Sequence, residues 1–200
     1  LLNKLMLQKS VCFDTETTNI DSLKAELVGI AFAWEAHKGY YLPIPKEKEK
    51  AREVINFFRP FFENEQIEKV GHNLKYDLKV LSNYDVKVFG PIFDTMIAHH
   101  LINPEMRNKM DILSETYLNY IPLAITDLIG ENKKNQISMR EVDLEKQTAY
   151  ALEGTDVTLQ LKKIFEKNII EKSAHELLTK VELPLLRILS EMEMEGICLD

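Results

Sequence analysis

The stretch VCFDTETTNID, from Val11 to Asp21, sets two carboxylates into a run of residues that favours an extended chain. Successive side chains on a strand point to opposite faces, so Asp14 and Glu16 share one face with Cys12. Their Cα atoms would lie roughly 6.5 to 7 Å apart, which lets both side chains reach one or two hard divalent cations. An edge strand that turns both carboxylates to water is the alternative. The pattern alone therefore leaves a metal site and a solvated pair open.

The composition fits one globular domain of ordinary size, or one domain with part of a neighbour, since 45% of the 200 residues are hydrophobic. Two distant cysteines, Cys12 and Cys198, provide no disulfide framework, so we expect a reducing interior compartment. No apolar run is long enough to cross a bilayer and no signal peptide opens the chain, so we expect no membrane partner. The formal charge of -7 argues against holding long duplex nucleic acid, but it permits a short contact at bound metal.

The first third of the chain predicts three strands in a meander, at Val11–Thr17, Leu27–Trp34 and Tyr40–Pro45. The next segment predicts a helix that covers this sheet, because its apolar residues recur at helical spacing: Val54, Phe57, Phe58, Phe61 and Phe62. A short strand follows at Ile67–Asn73, and the remaining chain is mostly helical. A sheet that begins antiparallel, gains a strand after a crossover helix and is then covered by helices predicts an α/β fold with a mixed sheet.

The second half of the chain contains a long predicted helix at Val142–Lys167. The polar segment Gly130–Gln136 before it lacks periodicity and predicts a surface loop, in which Lys133 and Lys134 are interpreted as solvated charges. The last stretch is amphipathic and predicts a helix that either packs on this domain or begins the next one.

A third carboxylate, Asp77, lies on the apolar stripe of a predicted helix, together with Leu74, Leu78 and Leu81. Lys75 and Lys79 lie on the other faces of that helix, so neither is a local partner for the charge. Burying an uncompensated carboxylate is costly. Asp77 therefore either reaches solvent at the rim of the stripe or joins Asp14 and Glu16 around a metal.

Four ordered motifs resemble the 3′→5′ proofreading exonuclease domain of bacterial DNA polymerase I, family A: FDTET from Phe13, VGHNLKYD ending at Asp77, FDTMIAHHLIN from Phe93 and YALEGTDVTLQL from Tyr150. The resemblance covers nearly the whole chain. It implies a ribonuclease-H-like fold, a single-stranded DNA 3′ end as substrate, and Mg²⁺ or Mn²⁺ as cofactor, with two ions in the family. A metal-dependent exonuclease of this type releases nucleoside 5′-monophosphates.

The resemblance also implies roles for individual residues. Asp14, Glu16 and Asp77 would be metal ligands, and Tyr150 would orient the water that attacks the terminal phosphodiester.

Three further residues, Ile20, His72 and Asn73, resemble family positions that contact the terminal nucleotides. From the residues alone, Ile20 fits an ordinary core position and Asn73 fits a helix N-cap equally well. Asp94 in FDTM is interpreted as a helix N-cap.

The pattern breaks at Gly154, which stands four residues after Tyr150 where the family has an aspartate. One explanation is a true loss of one metal ligand, which would leave the exonuclease slow or silent. A second is rescue by Glu153, which lies about 100° round the helix, whereas Asp156 lies about 200° away. A third is a deliberate replacement that disables the site. We expect impaired activity on the first ground.

The resemblance divides the chain into an exonuclease-like domain at 1–172 and a segment at 173–200 that leads towards a polymerase domain whose motifs are absent. It implies a covalently linked polymerase domain, a monomer and a bacterial, nucleoid-associated location in the cytoplasm. The alternative function is a catalytically silent module that serves as a structural platform or docks a single strand for the polymerase. A related RNA-trimming exonuclease is a third, weaker alternative.

Overall fold

The computed structural model describes residues 1–132 and 134–198. Lys133, and the last two residues of the predicted segment 173–200, lie outside that part of the chain. The sheet has the strand order β3-β2-β1-β4-β5, and its strands are β1 (Ser10–Thr17), β2 (Leu27–Glu35), β3 (Lys38–Pro43), β4 (Glu68–Gly71) and β5 (Ile92–Asp94).

The first strand is the middle of the sheet. It runs antiparallel to β2 and parallel to β4, while β3 pairs antiparallel with β2 and β5 pairs parallel with β4. This confirms the α/β fold with a mixed sheet and the opening meander. The edge-strand alternative for Asp14 and Glu16 is wrong, because β1 is hydrogen-bonded to a neighbour on both sides.

The helices account for most of the remaining described chain. A 3₁₀ turn at Met139–Glu141 precedes the longest helix, and a π turn at Leu178–Glu182 lies between the last two. The helices are α1 (Leu2–Leu5), α2 (Lys48–Phe62), α3 (Leu74–Ser82), α4 (Thr95–Ile102), α5 (Met110–Leu118), α6 (Ile125–Ile129), α7 (Leu144–Glu171), α8 (His175–Leu177) and α9 (Leu183–Glu195). Within the described residues, none of these helices is long and apolar enough to span a membrane.

Helix α2 covers one face of the sheet through aromatic contacts. The ring of Phe62 meets that of Phe13 at a centroid distance of 5.5 Å, and Phe61 meets Phe32 at 5.7 Å. Edge-to-face rings at these distances add to the free energy of apolar burial. The prediction that Phe57 shares this buried face is wrong, since Phe57 is 64% exposed and the helix turns its other apolar side inward.

Helix α7 covers the opposite face and contacts β1, β2, β3 and β4. Asp143 caps it by accepting a hydrogen bond from Glu145 N at 2.9 Å. Val157, Leu161 and Phe165 are buried along its inner side. The face of β1 that carries Asp14 and Glu16 is therefore the face on which Tyr150 and Gly154 lie.

The C-terminal helices pack on this domain, which was one of the two predicted outcomes. Glu193 on α9 binds Lys75 and Lys79 on α3, each at 2.6 Å. Arg187 donates to the carbonyl oxygens of Val88 and Gly90, the latter at 2.6 Å. The domain boundary at residue 172 stays a prediction.

Candidate active site

The three predicted carboxylates come together where β1 ends. Asp14 and Glu16 lie on one face of β1, and α3 brings Asp77 to the same point. Asp77 is only 2% exposed, and its Oδ1 accepts hydrogen bonds from Thr15 N at 3.1 Å and from Thr15 Oγ1 at 2.6 Å. The rim alternative for Asp77 is thus wrong. Lys75 and Lys79 do not pair with Asp77, as the helical spacing indicated, and both bind Glu193 instead.

Burial and mutual repulsion make these carboxylates unusually reluctant to ionise. Burial raises the pKa of Asp14 to about 6. Burial also raises the pKa of Glu16 well above its usual value, and the charges of Asp14 and Asp77 raise it further. The pKa of Asp77 is raised by burial and then by the charge of Asp14. Among the described residues no lysine or arginine forms an ion pair with these three carboxylates, so a bound cation is the natural partner.

The donor chemistry of the cluster fits a hard divalent cation. Glu16 Oε1 is buried and has no hydrogen-bond partner among the described residues. Carboxylate oxygens are the ligands that Mg²⁺ and Mn²⁺ prefer. In residues 1–132 and 134–198 no three acidic, histidine or cysteine side chains are already closed around one ion position, and Asp77 faces Thr15 instead. Holding an ion therefore requires side-chain rotation within the cluster.

Tyr150 stands over this cluster from α7. Its ring packs against Val28, Met139 and Val142. Burial raises the pKa of its hydroxyl, and the charges of Glu16 and then Asp14 raise it further. The hydroxyl stays protonated at neutral pH and makes no hydrogen bond to any described residue. It is thus free to bind a water or a substrate oxygen near the carboxylates.

Gly154 lies one turn beyond Tyr150 on the same side of α7. A Cβ built at this position meets no atom within 4 Å outside the helix. A side chain can therefore begin at this position without a clash at its Cβ, so packing around the Cβ does not require glycine here.

The two neighbouring acids on α7 are held elsewhere. Glu153 accepts hydrogen bonds from the Tyr120 hydroxyl and from Leu123 N, the latter at 2.6 Å. Asp156 accepts from His37 N at 2.6 Å. Both oxygens of Glu153 are engaged away from the carboxylate cluster, so this arrangement gives no support to rescue by Glu153, which stays a prediction.

A cleft of about 660 Å³ opens beside Glu16. Ile20 lies on its wall and is 95% exposed, so the interpretation of Ile20 as a core residue is wrong. The Tyr76 hydroxyl donates to the Asn19 carbonyl and thereby holds the loop that carries Ile20. The opposite wall comes from the segment after α5. Its apolar residues are Ile125, Ile129, Ile137 and Met139, and its polar residues are Gln136 and Ser138.

His72 and Asn73 lie between the cleft and α4. The ring nitrogens of His72 are hydrogen-bonded to Thr95 Oγ1 at 2.9 Å and to the Asn108 carbonyl at 3.0 Å. Asn73 lines the cleft and has a left-handed backbone with a φ of 66°. Asn73 occupies the N-cap position of α3, as interpreted from the sequence, but its side chain makes no capping hydrogen bond.

Asp94 performs the capping instead. It accepts from Leu74 N at 2.7 Å and from Met96 N at 2.8 Å, and so caps both α3 and α4. The prediction of Asp94 as an N-cap is confirmed, and the structure adds its second helix.

Several site residues escaped the sequence analysis. Thr15 holds Asp77, Tyr76 holds the Ile20 loop, and Ile125 and Ile137 form the far wall of the cleft. Thr15 and Tyr76 lie inside the motifs that contain Asp14, Glu16 and Asp77, and the sequence analysis considered only the acids of those motifs. A polar residue next to an acid that is predicted to be buried is a candidate hydrogen-bond donor, and this signal could have identified Thr15. The far wall gave little periodic signal, because α6 has only five residues and Ile137 lies in the irregular segment after it.

Comparison with solved structures supports the fold. NrnC of Brucella melitensis, solved with bound Mg²⁺, matches at a TM-score of 0.75 with 19% identity over 95% of this chain and 87% of that one. The catalytic core of RRP6 from Trypanosoma brucei matches at a TM-score of 0.71 with 16% identity over 94% of this chain and 48% of that one. The POL domain of Pol1 from M. smegmatis, in complex with DNA primer-template and dNTP, matches at 0.74 with 20% identity over 100% of this chain and 31% of that one.

Comparison of sequences identifies the family to which the chain belongs. The DNA polymerase I of Borreliella burgdorferi is 34% identical over 100% of this chain, and that of Chloroflexus aurantiacus is 36% identical over 100%. This chain spans 22% of the length of each of these two relatives. A family model described as 3′-5′ exonuclease matches residues 1–170. This chain therefore belongs to the 3′-5′ exonuclease family of DNA polymerase I.

Proposed function

We propose that this chain hydrolyses the terminal phosphodiester of single-stranded DNA 3′ ends, and that Gly154 impairs this activity. The observation that carries the proposal is the acidic cluster of Asp14, Glu16 and Asp77, in which Glu16 and Asp77 are buried. The charges of Glu16 and Asp14 act on the nearby Tyr150 hydroxyl, and Glu16 lines the cleft. A group of mutually repelling carboxylates without an internal cation is costly unless a ligand uses it.

The cleft would receive the end of the strand. Ile20 on one wall and Ile137 on the other offer apolar surface to the terminal base, which fits a base that has been freed from its stack. The phosphodiester would then lie near Glu16 at the inner end of the cleft.

Tyr150 would orient the attacking water through its protonated hydroxyl, which has no internal partner among the described residues. Asp14, Glu16 and Asp77 would hold the divalent ions, and a bound Mg²⁺ or Mn²⁺ would supply activation of water and stabilisation of the leaving 3′ oxygen. The products are a nucleoside 5′-monophosphate and a strand shortened by one nucleotide.

Gly154 would weaken this site in two ways. It removes a carboxylate one turn from Tyr150, and glycine within a helix costs about 1 kcal/mol relative to alanine. Three carboxylates still supply oxygen ligands, so we expect some metal binding and slow trimming. A Cβ at this position meets no atom within 4 Å outside the helix, so we expect Gly154→Asp to be accommodated and to recover the chemistry.

The test follows a 5′-labelled single-stranded DNA oligonucleotide in Mg²⁺ and then in Mn²⁺, with the unmodified chain, Gly154→Asp and Asp14→Ala. We expect Gly154→Asp to trim from the 3′ end at least about tenfold faster than the unmodified chain, and Asp14→Ala to be inactive. Equal rates for the unmodified chain and Gly154→Asp would contradict the role of Gly154. The same assay on an RNA strand of equal length tests the substrate class.

The second candidate is a catalytically silent module that docks a single strand beside a linked polymerase domain. Gly154 favours it, and the much longer DNA polymerase I relatives make a linked polymerase domain the expected neighbour. If neither the unmodified chain nor Gly154→Asp trims DNA while both bind the oligonucleotide, this candidate replaces the first.

A further inference from the structure

Tyr41 and Gln147 make a contact that none of the roles above uses. The hydroxyl of Tyr41, on β3, donates to Gln147 Oε1 at 3.0 Å. Gln147 is buried near the start of α7, and its Nε2 donates to the carbonyl oxygens of Met139 and Val142 at 2.9 and 2.8 Å. The side chain of Gln147 thus links helix α7 to β3 and to the turn at Met139–Glu141.

This contact requires the absence of a side chain at Gly29. A Cβ on Gly29 would lie 2.0 Å from the hydroxyl oxygen of Tyr41. Gly29 is also the residue paired with Glu16 across β1 and β2. The ring of Tyr41 therefore occupies the space over Gly29, next to Glu16, and its hydroxyl reaches Gln147 on α7.

Tyr150 lies three residues after Gln147, close to one helical turn, so the two residues project from neighbouring parts of α7. The ring of Tyr150 packs against Val28, Met139 and Val142. Two of these three residues are the ones whose carbonyl oxygens Gln147 binds. The amide of Gln147 thus holds both the helix that carries Tyr150 and the surface against which its ring rests.

We propose that Tyr41 and Gln147 are positioning residues, whose hydrogen bond sets where the Tyr150 hydroxyl stands relative to Glu16. The catalytic part of this inference rests on the proposed function, whereas the placement of Tyr150 is a property of the fold and is measurable without DNA. Loss of the hydrogen bond misplaces the hydroxyl and slows the chemical step, while the cleft that binds the strand is left intact.

The kinetic test uses Tyr41→Phe in the Gly154→Asp chain, which removes one hydroxyl and keeps the ring over Gly29. We expect kcat on the DNA oligonucleotide to fall about tenfold, with KM changed by less than about twofold, because small misplacements of reacting groups are costly. Tyr40→Phe is the matched control. Tyr40 is the adjacent residue on β3 and stacks on Trp34 at a centroid distance of 4.7 Å, so its variant should match its parent.

A spectroscopic readout separates positioning from general weakening. In the metal-free chain labelled with 3-fluorotyrosine, the Tyr150 resonance is identified by its absence in Tyr150→Phe. We expect Tyr41→Phe to shift or broaden that resonance and Tyr40→Phe to leave it unchanged. Gln147→Met, which keeps the volume and removes the three hydrogen bonds, should act like Tyr41→Phe; if Gln147→Met does not fold, Tyr41→Phe alone decides.

The inference is overturned if the Tyr150 resonance has the same position and width in Tyr41→Phe as in Tyr40→Phe, whatever the value of kcat. It is also overturned if Tyr41→Phe shifts the Tyr150 resonance but does not change the kcat of the Gly154→Asp chain. If Gly154→Asp proves inactive, the proposed function fails on its own, and the fluorine resonance still decides whether Tyr41 and Gln147 place Tyr150.

Discussion

The protein buries two groups of acidic and polar side chains that differ in one respect. Around Asp94, every partner is internal: its carboxylate accepts four backbone N–H groups, and the neighbouring His72 ring is hydrogen-bonded at both nitrogens. Around Asp14, Glu16 and Asp77, the carboxylates repel one another and Glu16 Oε1 has no partner among the described residues.

This difference in hydrogen bonding distinguishes a group that stabilises the fold from a group that is suited to bind a ligand. Buried polar groups are normally satisfied, and a satisfied group stabilises the fold. A cluster of unsatisfied acids costs stability and is explained by a ligand that the fold itself does not supply. The Asp94 group should therefore behave as a structural element, and the Asp14 group as a binding site.

The largest expected effect is a loss of stability in Asp94→Asn. One carboxylate oxygen binds Leu74 N and the other binds the N–H groups of α4, so an amide can satisfy only one side. We expect unfolding in urea to show a loss of about 3 kcal/mol, since an N-cap is lost and a buried donor is left unpaired. A decrease of less than about 1 kcal/mol in the free energy of unfolding would mean that the hydrogen bonds of Asp94 contribute little to the stability of the fold.

A smaller change of opposite sign is expected for Asp77→Asn. The amide oxygen still accepts the two hydrogen bonds from Thr15, while the repelling charge is gone. In metal-free buffer at neutral pH we expect a gain of about 1 to 2 kcal/mol in the free energy of unfolding. Millimolar Mg²⁺ should stabilise the unmodified chain and not the variant. If Asp77→Asn instead destabilises the metal-free protein, the cluster of Asp14, Glu16 and Asp77 stabilises the fold, as the Asp94 group does.

The gain from Asp77→Asn should depend on pH. The folded pKa of Asp77 is raised above its unfolded value, so the destabilising charge is absent at low pH and grows as pH rises. We expect the gap between variant and unmodified chain to shrink by about 1 kcal/mol between pH 7 and pH 5. Both chains contain His72, whose own titration therefore cancels in the difference. A gap that is constant with pH would show that charge repulsion is not its source.

The smallest effect is expected at the surface pairing of α9 with α3. Glu193→Gln removes the ion pairs with Lys75 and Lys79, which are partly exposed. Exposed ion pairs contribute little, so we expect a loss of about 0.5 kcal/mol that diminishes in high salt. A loss as large as that of Asp94→Asn would indicate that the C-terminal helix is a main support of the fold.

Local periodicity was enough to predict much of the site. The alternation along β1 correctly put Asp14 and Glu16 on one face, and the helical stripe correctly buried Asp77. The four-residue spacing likewise put Gly154 on the same side of α7 as Tyr150. Each of these inferences involves residues a few positions apart on one regular element, where geometry is fixed by the backbone alone.

The remaining features depend on contacts between distant residues. β1 became the central strand only because β4 pairs with it after a crossover helix. Asp94 caps α3 from a strand twenty positions later in the chain, whereas the side chain of Asn73, at the N-cap position itself, makes no capping hydrogen bond. Glu153 is captured by Tyr120 and Leu123 from an irregular segment. No local pattern encodes such pairings, because they are chosen by packing of the whole domain.

The most direct measurement is a titration of the metal-free protein with Mn²⁺, in which electron paramagnetic resonance counts the free ion. The unmodified chain, Gly154→Asp and Asp14→Ala are compared at neutral pH. The account predicts that the unmodified chain binds Mn²⁺, that Gly154→Asp binds it more tightly, and that Asp14→Ala loses the binding. Equal binding by all three chains, or none by any of them, would contradict the assignment of the acidic cluster as a metal site with one missing ligand.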